Sequence, residues 1–409
     1  MENCRACGHT LKNAFLSLGK TPVSNSYLLE AGLHSMEPFY PLELYVCEKC
    51  FWVQIDEFEP AENIFSANYA YFSSYSKSWL EHCKNYTDLM ISKFNFSSNS
   101  LVVEIASNDG YLLQYFKEKN IHVLGIEPTA NTAHTAIKKG IPTDIEFFNS
   151  KKATSMKNEG KFVDLLIGNN VLAHVPNVQD FVHGLSIALK PNGVITMEFP
   201  HLMRLIEFNQ FDTIYHEHFS YISLHSVIQL FEKYSLEIFD VDEIPTHGGS
   251  LRIYAKHKID STKKLSNNVS EILKKEKEAG LLNVDTYIVF NEKVKKTKRD
   301  ILTLLINLKN ENKKIVGYGA PAKGNTLLNY CGVGTDFIDF TVDMSEHKQG
   351  KFLPGVQIPI LHPDEIKKRK PEYVIVLPWN IKEEIMQQIS FIKEWGGKFV
   401  ICIPNVEVI

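Results

Sequence analysis

The segment LVVEIASNDGYLL, residues 101–113, decides the fold. A short apolar run carrying one acid, Glu104, ends in a cluster of small and turn-forming residues, Ala106 to Gly110, before apolar character resumes at Tyr111. A run of that kind, bounded by turn residues, is the pattern of a buried strand, and the residues beyond the turn open a helix. The runs HVLGIEP (122–128), VDLLIGNN (163–170) and GVITMEFP (193–200) follow at helix-length intervals. That rhythm predicts an α/β domain on a parallel, doubly wound sheet, with LRIYAK (251–256) as a later strand of it. Beyond a lysine-rich helical region at 260–311, the runs KKIVGYGA (313–320), FIDFTVD (337–343), EYVIVLP (372–378) and KFVICIP (398–404) predict a second α/β domain of nucleotide-binding type.

Upstream, the first sixty residues are rich in short extended segments. The aromatic and serine-rich stretch NYAYFSSYSKSW then leads into an amphipathic helix predicted from Ser78 to Phe94. At 409 residues, 44% hydrophobic and 22% charged, the chain is a globular protein of two or three domains. A formal charge of -4 excludes strong attraction to nucleic acid or to an anionic membrane. The basic runs Lys263 to Lys277 and Lys293 to Arg299 are interleaved with glutamates and leucines at helical spacing and read as solvated helix faces. No secretory signal and no apolar segment of membrane-spanning length is seen, so a cytoplasmic location is expected.

In a reducing compartment seven cysteines point to metal ligation or burial. Cys4 and Cys7 form one C-x2-C knuckle and Cys47 and Cys50 a second, with Gly8 placed to let the first reverse. Two knuckles can present four thiolates tetrahedrally to one Zn²⁺, a closed structural site with no open position for catalysis. Cys83, Cys331 and Cys402 sit singly among apolar residues and read as core.

The turn after the first strand is a ligand-binding candidate through Glu104, Ala106, Asn108 and Gly110. In S-adenosylmethionine (SAM)-dependent methyltransferases of this fold an acid and a glycine-rich turn occupy that place, and Ala106 and Asn108 stand here where glycines usually do. Glu127, ending the second strand, can accept hydrogen bonds from both hydroxyls of a ribose, a use that does not choose between NAD and SAM. Asn169 and Asn170 fall at a carboxyl strand end, where open α/β sheets bind ligands, with loop capping as the bland alternative.

Tyr215, His216, Glu217 and His218 stand in a row. In an extended segment, alternation would put Tyr215 and Glu217 on one side and the two histidines on the other. A histidine suits removal of a moderately acidic carbon-bound proton near neutral pH, and a phenol or second histidine, such as His174, can hydrogen-bond the resulting enolate. Metal binding by H-E-H is the rival reading, although the spacing is not that of H-E-x-x-H.

Together these residues resemble the nucleotide-diphosphate-sugar C-methyltransferases, which methylate C-3' of 4-keto deoxysugars. The resemblance runs through the C-x2-C pair, NYAYFSSYSKSWLEH, EIASNDGYLL, IEP, NNVLAHV, YHEHFSYIS and GYGAPAKGNTLLNY. It implies a zinc-binding domain at 1–65, a SAM-dependent methyltransferase domain at 66–260 and a Rossmann-like nucleotide-sugar-binding domain at 261–409. Tyr215, Glu217 and His218 match the family's Y-x-E-H motif, whose histidine is the favoured base. The family's upstream tyrosine falls at Tyr69, next to Tyr71, and His174 falls on an active-site histidine. Gly319, Lys323, Asn325 and Trp379 are the residues expected to meet the substrate's diphosphate and nucleotide, in a turn that is not the G-x-G-x-x-G fingerprint. The cofactors implied are SAM and a structural Zn²⁺. The partner implied is a nucleotide-diphosphate sugar, with no nucleic acid or membrane, on a monomer or weak oligomer. Two alternatives stay open: an NAD-dependent nucleotide-sugar reductase or epimerase, and a zinc-containing protein that binds such sugars without turnover.

Overall fold

Residues 2–65 and 72–409 are described by the computed structural model. They fall into two units. The first comprises Met1–Leu11, Cys47–His201 and Phe219–Leu282, and the second Lys12–Val46, Leu202–His218 and Asn283–Ile409.

In the first unit the five predicted apolar runs form strands, joined by two that were not predicted, Thr143–Asp144 and Leu236–Ile244. These are β1 (Leu101–Ile105), β2 (His122–Ile126), β3 (Thr143–Asp144), β4 (Val163–Asn169) and β5 (Leu189–Pro200), followed by β6 (Leu236–Ile244) and β7 (Ser250–His257). Their order is β6-β7-β5-β4-β1-β2-β3. β1 to β5 pair in parallel, whereas β7 runs antiparallel to both β5 and β6. The strand β6 was hidden in the sequence because Glu237, Asp240, Asp242 and Glu243 interrupt its apolar residues, as an edge strand permits.

Side-chain alternation along the buried strands divides the core between the two faces of the sheet. Val103, Ile105, Leu166 and Met197 pack with Phe181, Val182 and Leu185 of the helix Val178–Ala188. Val102, Leu165, Ile167 and Val194 pack with Tyr86 and Met90 of the helix Lys77–Phe94 and with Phe116. That long helix begins one residue before its predicted start, where the Ser76 hydroxyl accepts from the Trp79 amide. A small antiparallel pair, Val53–Ile55 with Ser220–Tyr221, completes this unit.

The second unit carries β8 (Ile315–Tyr318), β9 (Thr341–Val342), β10 (Ile360–Leu361), β11 (Tyr373–Val376), β12 (Lys398–Ile401) and β13 (Glu407–Val408). The order is β10-β9-β8-β11-β12-β13. Counted from β8, this is the 3-2-1-4-5-6 order of a dinucleotide-binding sheet, parallel except at β13. Val316, Tyr318, Val374, Val376 and Phe399 form its core with Ile385, Ile389 and Ile392. The strand Leu16–Thr21 pairs antiparallel with Tyr40–Val46 in the same unit.

The lysine-rich region is two helices. Asn267–Glu278 ends before Gly280, whose φ of 80° breaks the helix, and Val284–Asn310 restarts under an Asn283 cap. Among the described residues no helix is long and apolar enough to cross a membrane. In each parallel sheet the predicted ligand residues lie at carboxyl strand ends: Ala106 after β1, Glu127 after β2 and Asn169 at the end of β4 in the first, and Gly319 after β8 and Trp379 beyond β11 in the second. β8 and β11 are neighbours on either side of the point where strand order reverses, the place where open sheets form a crevice.

Candidate active site and metal centre

The four cysteines of the two knuckles converge. Their sulfurs all lie within 4.8 Å of one another, with Cys4 to Cys50 and Cys7 to Cys47 each at 3.6 Å. Thiolates about 2.3 Å from one tetrahedral ion stand roughly 3.8 Å apart, so this cluster fits Zn²⁺. The two knuckles share a backbone geometry: Gly8 N donates to Cys4 O and Phe51 N to Cys47 O, both at 2.8 Å, and both residues take left-handed φ. Gly8 was legible as the reversing residue; Phe51, at φ 55°, performs the same turn with a side chain.

The turn after β1 is tight, as its composition requires. Ala106, Asn108 and Gly110 have φ of 57°, 49° and 76°. A left-handed alanine is costly by about 1–2 kcal/mol, so the conformation is imposed by what surrounds it. Ala106 N donates to Ile126 O, and Asn108 N donates to Glu127 Oε2, both at 2.8 Å. Glu127 Oε1 accepts from the Thr129 amide, and burial raises its pKa. Glu127 therefore shapes the loop while keeping lone pairs for further donors.

Glu104 is fully buried, and its burial pushes the carboxyl pKa well up. Tyr111 stands near it, but neither carboxylate oxygen meets a hydrogen-bond donor in good geometry among the described residues. Both atoms of the Asn169 amide are likewise buried and unpartnered there. Orphaned acceptors and an amide at carboxyl strand ends suit a ligand rich in donors, which the ammonium and ribose hydroxyls of SAM supply. Asn170, also left-handed, donates to His247 Nε2 at 3.2 Å. His174 ends a short 3-10 turn after β4, its ring edge-on to Phe65 with centroids 5.6 Å apart.

In the second unit, residues 215–218 are a turn and not the extended segment expected. His218 N donates to Tyr215 O at 2.9 Å, which folds the ring of His218 back onto that of Tyr215. The alternation expected of these four residues is thereby overturned: an i to i+3 turn joins residues that alternation would separate. Tyr215 Oη and His218 Nε2 are 3.0 Å apart. His218 Nδ1 lies 3.1 Å from the Thr213 carbonyl, which can only accept, so Nδ1 carries the proton and Nε2 is the basic nitrogen.

Buried neighbours hold this loop. The Thr326 hydroxyl donates to Ile214 O at 3.0 Å, His216 Nε2 to Pro41 O at 3.1 Å, and Asn25 donates to Glu217 Oε1 through its backbone and side chain at 3.2 and 3.1 Å. Ile214, His216 and Glu217 are buried, while Tyr215 and His218 are half-buried. Burial lowers the His216 pKa and raises that of Glu217 to about 7. His216 is thus a neutral pin with its donor committed.

At the crevice of the second sheet, Gly319 adopts φ 88° against the Pro378 ring, where a Cβ would collide. Two backbone amides of the turn are already bonded: Gly319 N to Val342 O at 2.6 Å and Ala320 N to Asp343 Oδ2 at 2.7 Å. The helix Ala322–Cys331 begins after Pro321 with no side-chain cap, leaving its first-turn amides for a ligand or solvent. Lys323 Nζ donates to Asn380 Oδ1 at 2.7 Å and sits over the Trp379 ring, 4.5 Å from its centroid. Desolvation draws its pKa down to about 8. Asn325 is buried, its Oδ1 accepting from Asn329 and its Nδ2 unpartnered among the described residues.

Tyr69 lies outside the described residues. Asp212, fully buried and bonded to Trp379, and Asn25 were missed by sequence reasoning. Each is a lone polar residue far along the chain from its partner, and only the fold joins them.

Three family models match: a zinc binding domain over residues 4–65, a methyltransferase domain over 81–241 and a C-methyltransferase C-terminal domain over 245–404. The C-methyltransferase NovU of Streptomyces niveus is 33% identical over 409 residues, which is 100% of this chain and 97% of NovU. Among solved structures, a SAM-dependent methyltransferase of Anabaena variabilis ATCC 29413 is 14% identical, covering 50% of this chain and 99% of that one at a TM-score of 0.38. The magnesium protoporphyrin IX methyltransferase of Synechocystis PCC 6803 with bound SAM is 13% identical, covering 43% and 78% at a TM-score of 0.33.

Proposed function

The chain belongs to the SAM-dependent C-methyltransferase family, and from that premise we propose that it methylates C-3' of a nucleotide-diphosphate-linked 4-keto sugar. The observation that carries this reading is the Tyr215–His218 pair, a histidine whose basic nitrogen is fixed by its own tautomer beside a phenol. A carbonyl at C-4' acidifies the hydrogen on C-3', and a neutral imidazole is matched to its removal near pH 7.

In this mechanism the Tyr215 hydroxyl, which donates to His218 Nε2 in the structure, turns to the substrate's C-4' oxygen, and the freed Nε2 takes the C-3' proton while Thr213 O holds the ring as its charge becomes positive. The enolate oxygen accepts a hydrogen bond from Tyr215, His174 or Tyr69, and Glu217 orients a ring or a sugar hydroxyl. SAM, when bound, supplies an electrophilic methyl on a sulfonium. Glu104, Ala106, Asn108, Gly110, Glu127 and Asn169 would hold it, with Glu104 meeting its positive end. Gly319, Lys323, Asn325 and Trp379 would hold the nucleotide diphosphate. Cys4, Cys7, Cys47 and Cys50 would hold zinc for structure alone, since four thiolates fill a tetrahedral shell.

The functional segments on this reading are 1–65, 66–260 and 261–409, and the spans of the three matching family models support them. The test is His218→Asn or His218→Ala assayed with a 4-keto sugar nucleotide in D2O. Loss of both C-3' deuterium exchange and methylation is expected; turnover at the wild-type rate rejects His218 as base.

A further inference from the structure

We propose that Asp212 and Trp379 are positioning residues that register the His218 base to the crevice of the second unit's sheet. Every link lies within that unit. Trp379 opens a short 3-10 turn just beyond β11, at the strand end that flanks the crevice. Its indole Nε1 donates to Asp212 Oδ2 at 2.6 Å, a short, charge-assisted bond. Asp212 is the central residue of another 3-10 turn, Phe211–Thr213. The next residue, Thr213, presents the carbonyl that holds His218 Nδ1.

That turn is stiff. Thr213 N donates to Gln210 O and Ile214 N to Phe211 O, both at 3.1 Å, and the Thr213 hydroxyl adds a bond to Gln210 O at 2.7 Å. A displacement of Asp212 therefore carries the Thr213 carbonyl with it, and with the carbonyl both the setting and the tautomer of His218.

The choice of a carboxylate at this buried place needs a reason. Asp212 is 0% exposed, and its Oδ1 has no partner among the described residues. Burying a carboxylate is costly even with the indole and the backbone of Asp212 and Thr213 bonding to it, and an asparagine would accept the indole's bond at less expense of desolvation. The cation that offsets it is Lys323, which stands over the face of the same indole. Trp379 thus lies between a cation on its π face and an anion at its N–H edge, and both polarise the ring in the same sense. Lys323 is also the side chain proposed above to meet the diphosphate. The ring's position is therefore set jointly by the substrate cation and by the turn that orients the base.

This inference rests on His218 being the base. The expected result for Asp212→Ala is a loss of kcat for C-3' deuterium exchange on the order of 10- to 100-fold, as misplacement of a catalytic group by about 1 Å costs. For Asp212→Ala KM should stay within about two-fold, because Asp212 itself meets no substrate; for Trp379→Phe, at a residue placed beside the nucleotide diphosphate, the readout is the kcat loss beyond any change in KM. Asp212→Asn should recover most of the rate, since its amide oxygen still accepts from the indole. Trp379→Phe, which keeps the ring and removes the N–H, should reproduce the kcat loss of Asp212→Ala. The Trp379 indole proton, one of four in the protein, should move upfield in the Asp212→Ala spectrum.

Folded Asp212→Ala and Trp379→Phe proteins with wild-type kcat overturn the proposal, as does an effect confined to KM, which would make both residues simple binding groups. Should Asp212→Ala fail to fold, Trp379→Phe decides alone. An inactive His218→Asn beside fully active tie variants removes only the tie; a His218→Asn enzyme that still exchanges deuterium removes the base assignment and the tie with it.

Discussion

The turn after β1 and the turn after β8 occupy the same place in two similarly ordered sheets, yet the first is predominantly acidic, with Lys139 on Asp109 as its cation, whereas the second pairs two lysines with Asp343 and Asp212. Around the first stand Glu104, Asp109 and Glu127, with Glu104 lacking a donor in good geometry. Beside the second stand Lys323 and Lys348, whose ammonium bonds Ala320 O at 2.9 Å. The backbone differs in the same spirit. The first turn forces an alanine and an asparagine into left-handed φ, whereas the second gives that position to Gly319 and follows it with Pro321. SAM carries positive charge at its sulfonium and ammonium, and a nucleotide diphosphate carries negative charge. On the proposed reading, a shared topology would set where each ligand sits, and the excess of carboxylates at the first turn and the presence of Lys323 at the second would set its sign.

The comparison breaks if the two turns fail to separate their ligands. Glu104→Gln should weaken SAM on the order of 100-fold, the scale of a lost charge-assisted hydrogen bond in a buried site, and leave sugar-nucleotide affinity unchanged. Lys323→Met should weaken the sugar nucleotide about 10-fold, less so at high salt, and leave SAM unchanged. Calorimetry with each ligand on each variant checks both, and a crossed effect in either direction contradicts the assignment.

The pH dependence sharpens it. Desolvation lowers the Lys323 pKa to about 8, so its charge is present below that pH and lost above it. Affinity for the diphosphate ligand should therefore fall as pH rises through about 8, while SAM affinity shows no matching step. Lys323→Arg, which stays protonated, should flatten the profile. The smallest effect is in stability. Ala106→Gly should raise stability by about 1 kcal/mol by relieving left-handed strain. Gly319→Ala should lower it by more than that, because its Cβ meets the Pro378 ring. Thermal melting of the two variants should move in opposite directions.

These contrasts also show what the sequence could and could not disclose. The parallel strands were legible because burial on both faces demands continuous apolar runs, and the cysteine knuckles because one ion demands close spacing. The strained Ala106 and Asn108 were visible as departures from glycine, though not the bonds to Ile126 and Glu127 that impose their backbone. Residues 215–218 were misread as extended, since a row of polar side chains gives no sign of the bond from His218 N to Tyr215 O. The link from Trp379 to Asp212 joins residues 167 apart, and no local pattern marks it.

The most direct measurement follows a ¹³C-labelled methyl from SAM into a panel of 4-keto sugar nucleotides by NMR. The account predicts a methyl carbon coupled to C-3' of the ring, with the C-3' proton lost to solvent. Label on an oxygen or nitrogen, or no label in any sugar while a nicotinamide cofactor is consumed, would contradict it.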